Sequence, residues 1–286
     1  MRLLAVTLLC FATVAGADVR VEDYLGRTVT LQSPATRIIA LAPHIVENVY
    51  SAGAGEYLVG AVEYSNYPPE ANDLPRIGAF NSFSLEAILA LSPDLVITWV
   101  SGNGGGVVEQ LSGLGIAVYA DEPQTLADIA RSIQDIGELT GKTAESEAVA
   151  GRFLSRLNAL ENRYSKARRL NVFYQVWNQP LQTVNGDHII TDVLRLCGAD
   201  NVFSDALSLA PKINIETVLA RDPDVILASG AGDEKPQWLD DWKRFPDMQA
   251  VRNNHLFFVP PDYIQRHTIR IRHGAERVCE QLEKSR

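Results

Sequence analysis

Ser84-Leu85-Glu86-Ala87-Ile88-Leu89-Ala90-Leu91-Ser92-Pro93-Asp94-Leu95-Val96-Ile97 returns later in the chain as Asn214-Ile215-Glu216-Thr217-Val218-Leu219-Ala220-Arg221-Asp222-Pro223-Asp224-Val225-Ile226-Leu227. Each copy reads as a polar cap, a two-turn helix, a Pro-Asp stop and an apolar strand. The glutamate sits in the first turn, where the helix dipole favours an acid. One unit used twice implies two βα lobes of one design with a cleft between them, an α/β fold. Glu86 and Glu216 hold equivalent positions in the copies, so they should hold equivalent places on the lobes, as a symmetric partner would require.

The same alternation extends outward. Short apolar runs at Arg37 to Leu41, Leu58 to Val62, Leu95 to Trp99 and Ala117 to Tyr119 predict strands of the first lobe. Leu170 to Tyr174, Val225 to Ala228 and Leu256 to Val259 predict strands of the second. Strands alternating with helical patterns mean parallel sheets. Between the two sets, Ala148, Val149, Phe153, Leu154, Leu157 and Leu160 fall at helical spacing after a Thr140-Gly141 break. They predict one helix over Lys142 to Tyr164, about 34 Å long at 1.5 Å per residue, a stiff spine that limits closure. Val19 to Pro34 reads as a hairpin ahead of the first lobe. The expected divisions are residues 1–17, an N-terminal lobe at 18–140, a connecting helix at 141–166 and a C-terminal lobe at 167–286.

Met1-Arg2, the apolar run Leu3 to Val14 and Ala15-Gly16-Ala17 read as a secretory signal. The run is too short to span a bilayer, which takes about 20 residues. An exported, periplasmic protein that inserts in no membrane is expected, its mature chain starting near Asp18. Cys10 leaves with the signal; Cys197 and Cys279 remain, an even pair in an oxidising compartment, each in an apolar helical context. A disulfide between them is expected, with two buried free thiols as the alternative. The net charge of −9, about −10 once Arg2 is removed, argues against nucleic acid and anionic lipid surfaces.

Val21-Glu22-Asp23-x-x-Gly26-Arg27, Arg37-Ile38-Ile39-Ala40-Leu41-Ala42-Pro43, the repeated Leu-Glu motif with its Pro-Asp strand and the central helix together resemble the helical-backbone class of periplasmic substrate-binding proteins that serve ABC importers. The likeness covers essentially the whole mature chain. Tyr64-Ser65-Asn66-Tyr67-Pro68-Pro69, Trp99 and the Cys197 and Cys279 pair look most like the cobalamin-binding members of that class. The resemblance implies a monomer that carries a corrinoid in its cleft to a permease dimer. It places Tyr64, Trp99 and Asp262 against the ligand, and Glu86 and Glu216 as docking carboxylates, one per lobe. The importer would answer with arginines, which grip carboxylates bidentately. Three positions depart from the pattern: Phe80 stands where the family has a tryptophan, Ala210 where an aromatic is expected before the second motif, and His44 where a small residue is usual.

A corrinoid or haem is a broad, mostly apolar ring with polar fringes, so its site needs aromatic faces and a few hydrogen-bonding tips. Tyr64, Tyr67, Phe80, Phe83, Trp99, Trp177 and Tyr263 fall in loops or at strand ends, where α/β lobes bind ligands, although any one of them could equally belong to the core of its lobe. Gly102-Asn103-Gly104-Gly105-Gly106 would allow close backbone approach to a ligand edge; Val107 stands where a dinucleotide fingerprint needs its third glycine. His44, and less so His267, could cap the metal of a bound macrocycle, whereas the scattered histidines hold no metal-site spacing such as H-E-x-x-H. An enzyme is not expected: no G-x-S-x-G, no Walker loop and no free cysteine nucleophile are present. The alternative cargo is haem or a ferric siderophore. Siderophores carry anionic oxygens and call for cleft cations, for which Arg76, Lys212, Arg266 and Arg270 are the candidates.

Overall fold

Both copies of the repeat take the same local structure in the computed structural model of the protein, which describes residues 18–230, 232 and 234–286. Ser84 caps the helix Leu85–Ala90 by accepting a hydrogen bond from the Ala87 N–H, and Asn214 caps Ile215–Arg221 by accepting one from the Thr217 N–H. The equivalence continues past each helix. The Asp94 carboxylate accepts from the Arg37 N–H while the Asp94 N–H donates to the Arg37 carbonyl; Asp224 makes the same two bonds with Asn171. Each Pro-Asp pair thus ends a helix and clips the following strand to the start of its neighbour.

The two central sheets share one topology. In the N-terminal lobe the strands run Leu58–Ala61, Ile38–Ala40, Leu95–Trp99, Ala117–Asp121, all parallel. In the C-terminal lobe they run Ala199–Asn201, Leu170–Gln175, Val225–Ala228, Leu256–Phe258, again all parallel. Both orders read second, first, third, fourth. In such sheets ligands bind beyond the carboxyl ends of the strands on either side of the reversal. In the first lobe those ends carry Leu41 to His44 and Trp99.

The lobes are joined through the helix Leu126–Thr140 and the 22-residue helix Thr143–Tyr164, about 33 Å long. Gly141, in the left-handed conformation at φ 71°, closes the first of these and turns the chain into the second. Phe153 and Leu157 of the long helix share one buried cluster with Val49 and Ile133 of the first lobe and with Val193 and Leu282 of the second. A spine embedded in a continuous apolar core resists bending, because opening it would expose that core. The segment ahead of the first lobe is the antiparallel hairpin of Val19–Glu22 and Thr28–Leu31.

Cys197 and Cys279 form a disulfide that ties the end of the helix Ile189–Leu196 to the C-terminal helix Ile271–Glu283. It closes a loop with a sequence separation of 82, for which the chain-entropy argument gives about 4 to 5 kcal/mol. The double variant Cys197→Ala/Cys279→Ala is therefore expected to lose several kcal/mol of unfolding free energy in urea titrations. An unchanged midpoint would remove the bridge from the stability of the fold. The export segment expected at residues 1–17, with Cys10, lies outside the described residues. Among the described residues no helix is long and apolar enough to cross a membrane.

Candidate ligand-binding site

Trp99 ends the third strand of the N-terminal sheet, and three loops gather around it through one side chain. Asn103 accepts the Trp99 N–H at 2.6 Å and donates to the carbonyls of Leu41 at 2.8 Å and Phe80 at 2.7 Å. Asn103 belongs to the glycine run, and its role is internal to the protein. Gly102 has the same explanation, since a Cβ there would stand 1.9 Å from the indole ring of Trp99. Gly102 and Asn103 thus seat Trp99, a purpose that spacing alone does not disclose, whereas a Cβ at Gly104, Gly105 or Gly106 would meet open space.

Around this knot the aromatic rings converge. Phe80 lies 5.8 Å from Trp99 between centroids, and His44 meets the indole edge-on at 5.2 Å. From the other lobe His267 approaches to 5.5 Å of His44 and 6.4 Å of Trp99, and His188 lies 6.4 Å from His267. A cavity of about 400 Å³ opens between the lobes here, lined by Trp99, Ser101 and Glu122 on one side and by His188, Leu209 and His267 on the other. His44 does not line it; its ring is buried beside Trp99, with Nε2 3.7 Å from Asp121 Oδ2. Among the described residues, His44 Nε2, Asp121 Oδ2, Trp99 Nε1, His267 Nδ1 and Asn48 Oδ1 are buried in this region without a hydrogen-bond partner. Burial pushes the pKa of His188 down to about 4, and burial, then the nearby His44 and His188, hold His267 well below the ordinary imidazole value. Both rings are neutral at physiological pH.

Tyr64, Tyr67 and Trp177 are not among the residues that line this cavity. Tyr64 is 76% exposed in a loop that it enters with φ 63°, and Tyr67 is also exposed. Trp177, 42% exposed, stands on the hairpin of Trp177–Asn178 and Leu181–Gln182 in the C-terminal lobe, outside the cluster around Trp99. Leu207, fully exposed, adds an apolar side chain to the cavity wall that the sequence reading did not single out.

Asp262 belongs to an ionic cluster that bridges the lobes. Glu47, buried in the helix Pro43–Ser51, accepts from Arg266 at 2.8 Å and from Arg270 at 2.9 Å through both of its oxygens. Asp262 pairs with the same two guanidiniums at 3.1 and 3.4 Å. Arg266 also donates to Asn66 Oδ1, and Arg270 lies over the Tyr67 ring at 4.0 Å, so the tyrosine loop is tied to the opposite lobe. Three of the four candidate cleft cations are therefore engaged: Arg266 and Arg270 face two carboxylates and Arg76 donates to the carbonyls of Ser65 and Ala71, whereas Lys212 is exposed and forms no salt bridge among the described residues. Glu47 escaped sequence reading because its partners lie 219 and 223 residues away.

Known proteins of the same build are recognisable at this point. Residues 38–263 match the family described as periplasmic binding protein. A vitamin B12-binding protein of Vibrio campbellii is 36% identical over 253 residues, 88% of this chain and 91% of that one. A vitamin B12-binding protein of Pectobacterium atrosepticum is 32% identical over 251 residues, 86% of this chain and 88% of its own. The crystal structure of the periplasmic vitamin B12 binding protein BtuF of Vibrio cholerae superposes with a TM-score of 0.81 at 33% identity, covering 88% of this chain and 98% of that one. The periplasmic heme-binding protein RhuT of Roseiflexus shares the fold, with a TM-score of 0.76 at 23% identity over 88% of this chain and 99% of its own. With its paired parallel sheets, its connecting helix and its inter-lobe cleft, the chain belongs to the periplasmic binding protein family.

Proposed function

We propose that this protein binds a corrinoid of the vitamin B12 type between its lobes, unchanged and without catalysis, and delivers it to the permease of an ABC importer. The observation that carries the reading is a cleft of aromatic faces and neutral imidazoles whose guanidiniums are already matched by Glu47 and Asp262. A cargo rich in anionic oxygens would have to break those pairs, and stripping a buried ion pair of one partner is strongly unfavourable. A broad ring with uncharged fringes has no such demand. The vitamin B12-binding relatives support the same cargo.

In this reading Trp99 and Phe80 meet the ring, Tyr64 and Trp177 cover it from the exposed rim, and Asp262 acts through its arginines. His44 contributes from beneath Trp99 as the edge that fixes the indole plane. The cavity takes one edge of the ring and the rim aromatics take the remainder. Residues 1–17 direct export to the periplasm, the lobes span 18–140 and 167–286, and the helix between them, 141–166, holds their separation. Glu86 and Glu216 dock the loaded monomer on the permease.

The test is titration of purified, ligand-stripped protein with cyanocobalamin, haem and a ferric siderophore, read by tryptophan quenching and by calorimetry. One-to-one saturation by the corrinoid alone at submicromolar concentration is expected; saturation by haem or siderophore instead would overturn the cargo. Trp99→Ala should weaken corrinoid binding by more than about 1 kcal/mol, the scale of a lost aromatic face in a desolvated pocket. Unchanged affinity would remove Trp99 from the site.

A further inference from the structure

We infer that His188 and His267 set the specificity of the cleft as hydrogen-bond donors, their Nε2–H groups meeting amide carbonyl oxygens on the edge of the bound ring. The inference rests on the corrinoid reading and adds to it the two groups that recognise the fringe of the cargo. His188 stands at the cap of the helix Ile189–Leu196, where its Nδ1 accepts the Ile190 N–H at 3.2 Å. A neutral imidazole that accepts through Nδ1 carries its proton on Nε2. His267 reaches the same tautomer by a different route. Its Nδ1 is buried without a partner, and an unpaired N–H costs more there than an unfilled lone pair, so its proton also belongs on Nε2.

Both rings line the cavity and lie 6.4 Å apart between centroids, so two donors of fixed polarity enter one space. Local carboxylates do not compete for them. Glu122 is engaged by the N–H and hydroxyl of Ser101, Asp187 receives the Asn185 amide, and Asp121 takes the Ser132 hydroxyl and faces His44. With Nε2 protonated, neither imidazole offers the cavity the free lone pair that metal capping requires. Their neutrality also means that they offer an anionic group no charge–charge attraction with which to offset its desolvation. Uncharged carbonyls are the acceptors that suit this pair. The carbonyl of His267 accepts from the Asn48 side chain of the opposite lobe at 3.0 Å, which holds the His267 loop in register with Trp99.

Two variants separate recognition from folding. His188→Asn keeps a side-chain acceptor for the helix cap but is too short to reach the ligand. His267→Phe keeps an aromatic ring beside His44 and Trp99 and deletes the donor. Each should weaken cyanocobalamin binding about 10-fold by calorimetry, the loss expected for one buried hydrogen bond, with little change in Tm. In the histidine-15N-labelled wild type, both rings should report the Nε2–H tautomer before ligand is added. One equivalent of cyanocobalamin should slow the exchange of both Nε2 protons. Wild-type binding with both variants unaffected, or an Nδ1–H tautomer on either ring, would overturn the inference while leaving the cargo intact. Failure of the wild type to bind cyanocobalamin would overturn the corrinoid reading and the amide acceptors with it.

Discussion

Glu86→Ala combined with Glu216→Ala is expected to abolish cargo uptake in a transport assay while leaving cyanocobalamin affinity within about twofold of wild type. Both carboxylates are exposed, both stand in the first turn of a capped helix, and neither forms a salt bridge among the described residues. Ser84 donates its hydroxyl to Glu86 at 3.0 Å, a contact that orients the side chain without neutralising it. Both charges remain available to a partner. The alternative is that each acid serves only its own helix dipole, which is worth about 0.3 to 1 kcal/mol and would be lost from stability alone. The two accounts diverge in their readouts. A dipole role predicts a small fall in stability and normal uptake, whereas docking predicts the reverse, with each single variant intermediate. Rim charges act mainly on encounter and orientation, so association with the permease should weaken steeply as salt rises and lose that dependence in the double variant. Uptake at wild-type rates by the double variant would defeat the docking assignment.

The architecture was legible because it is written in local patterns. Ser84 and Asn214 as caps, the Pro-Asp stops and the apolar strands are decided within about fourteen residues each, and all recur in the structure. The unpredicted strand Ala199–Asn201 shows where that approach ends. Only three residues long, it alternates buried and exposed positions and uses buried Asn201 to hold the Val184 carbonyl and the Thr191 hydroxyl, a polar signature that reads as loop. The site was legible in part. Trp99 and His44 follow strands at a sheet reversal, a predictable ligand position, and Phe80 joins them from the turn of the hairpin Gly78–Ala79 and Ser82–Phe83. Of their counterparts, His188 caps a helix while Leu209 and His267 lie in irregular segments, and all three are brought opposite Trp99 only by the docking of one lobe on the other. No residue spacing encodes that relation. The same holds for Asn103, whose three bonds reach loops that are remote in sequence.

Glu47→Ala should lower the unfolding free energy by about 3 to 5 kcal/mol and weaken cargo binding as well, although Glu47 touches no part of the proposed ring face. Its side chain is 2% exposed, and the side chains of Arg266 and Arg270 are 17% and 13% exposed. Removing the buried carboxylate leaves two largely desolvated cations to share Asp262. Arg266→Ala, by contrast, leaves Glu47 with its two bonds from Arg270, at 2.9 Å each, and should cost less. That inequality is diagnostic, because a simple count of lost hydrogen bonds ranks the two variants far closer together. The coupling to cargo follows from geometry. Arg266 bonds to Asn66 and Arg270 covers Tyr67, so both arginines hold the loop carrying Tyr64 as well as the helix carrying Glu47. When Glu47 is lost, the lobes lose an ionic latch beside the cleft and the tyrosine loop loses its anchor. Scattering measurements should then report a wider spread of lobe orientations in the ligand-free variant. Equal urea midpoints for wild type and Glu47→Ala would mean that the long helix and the shared apolar core set the lobe orientation unaided.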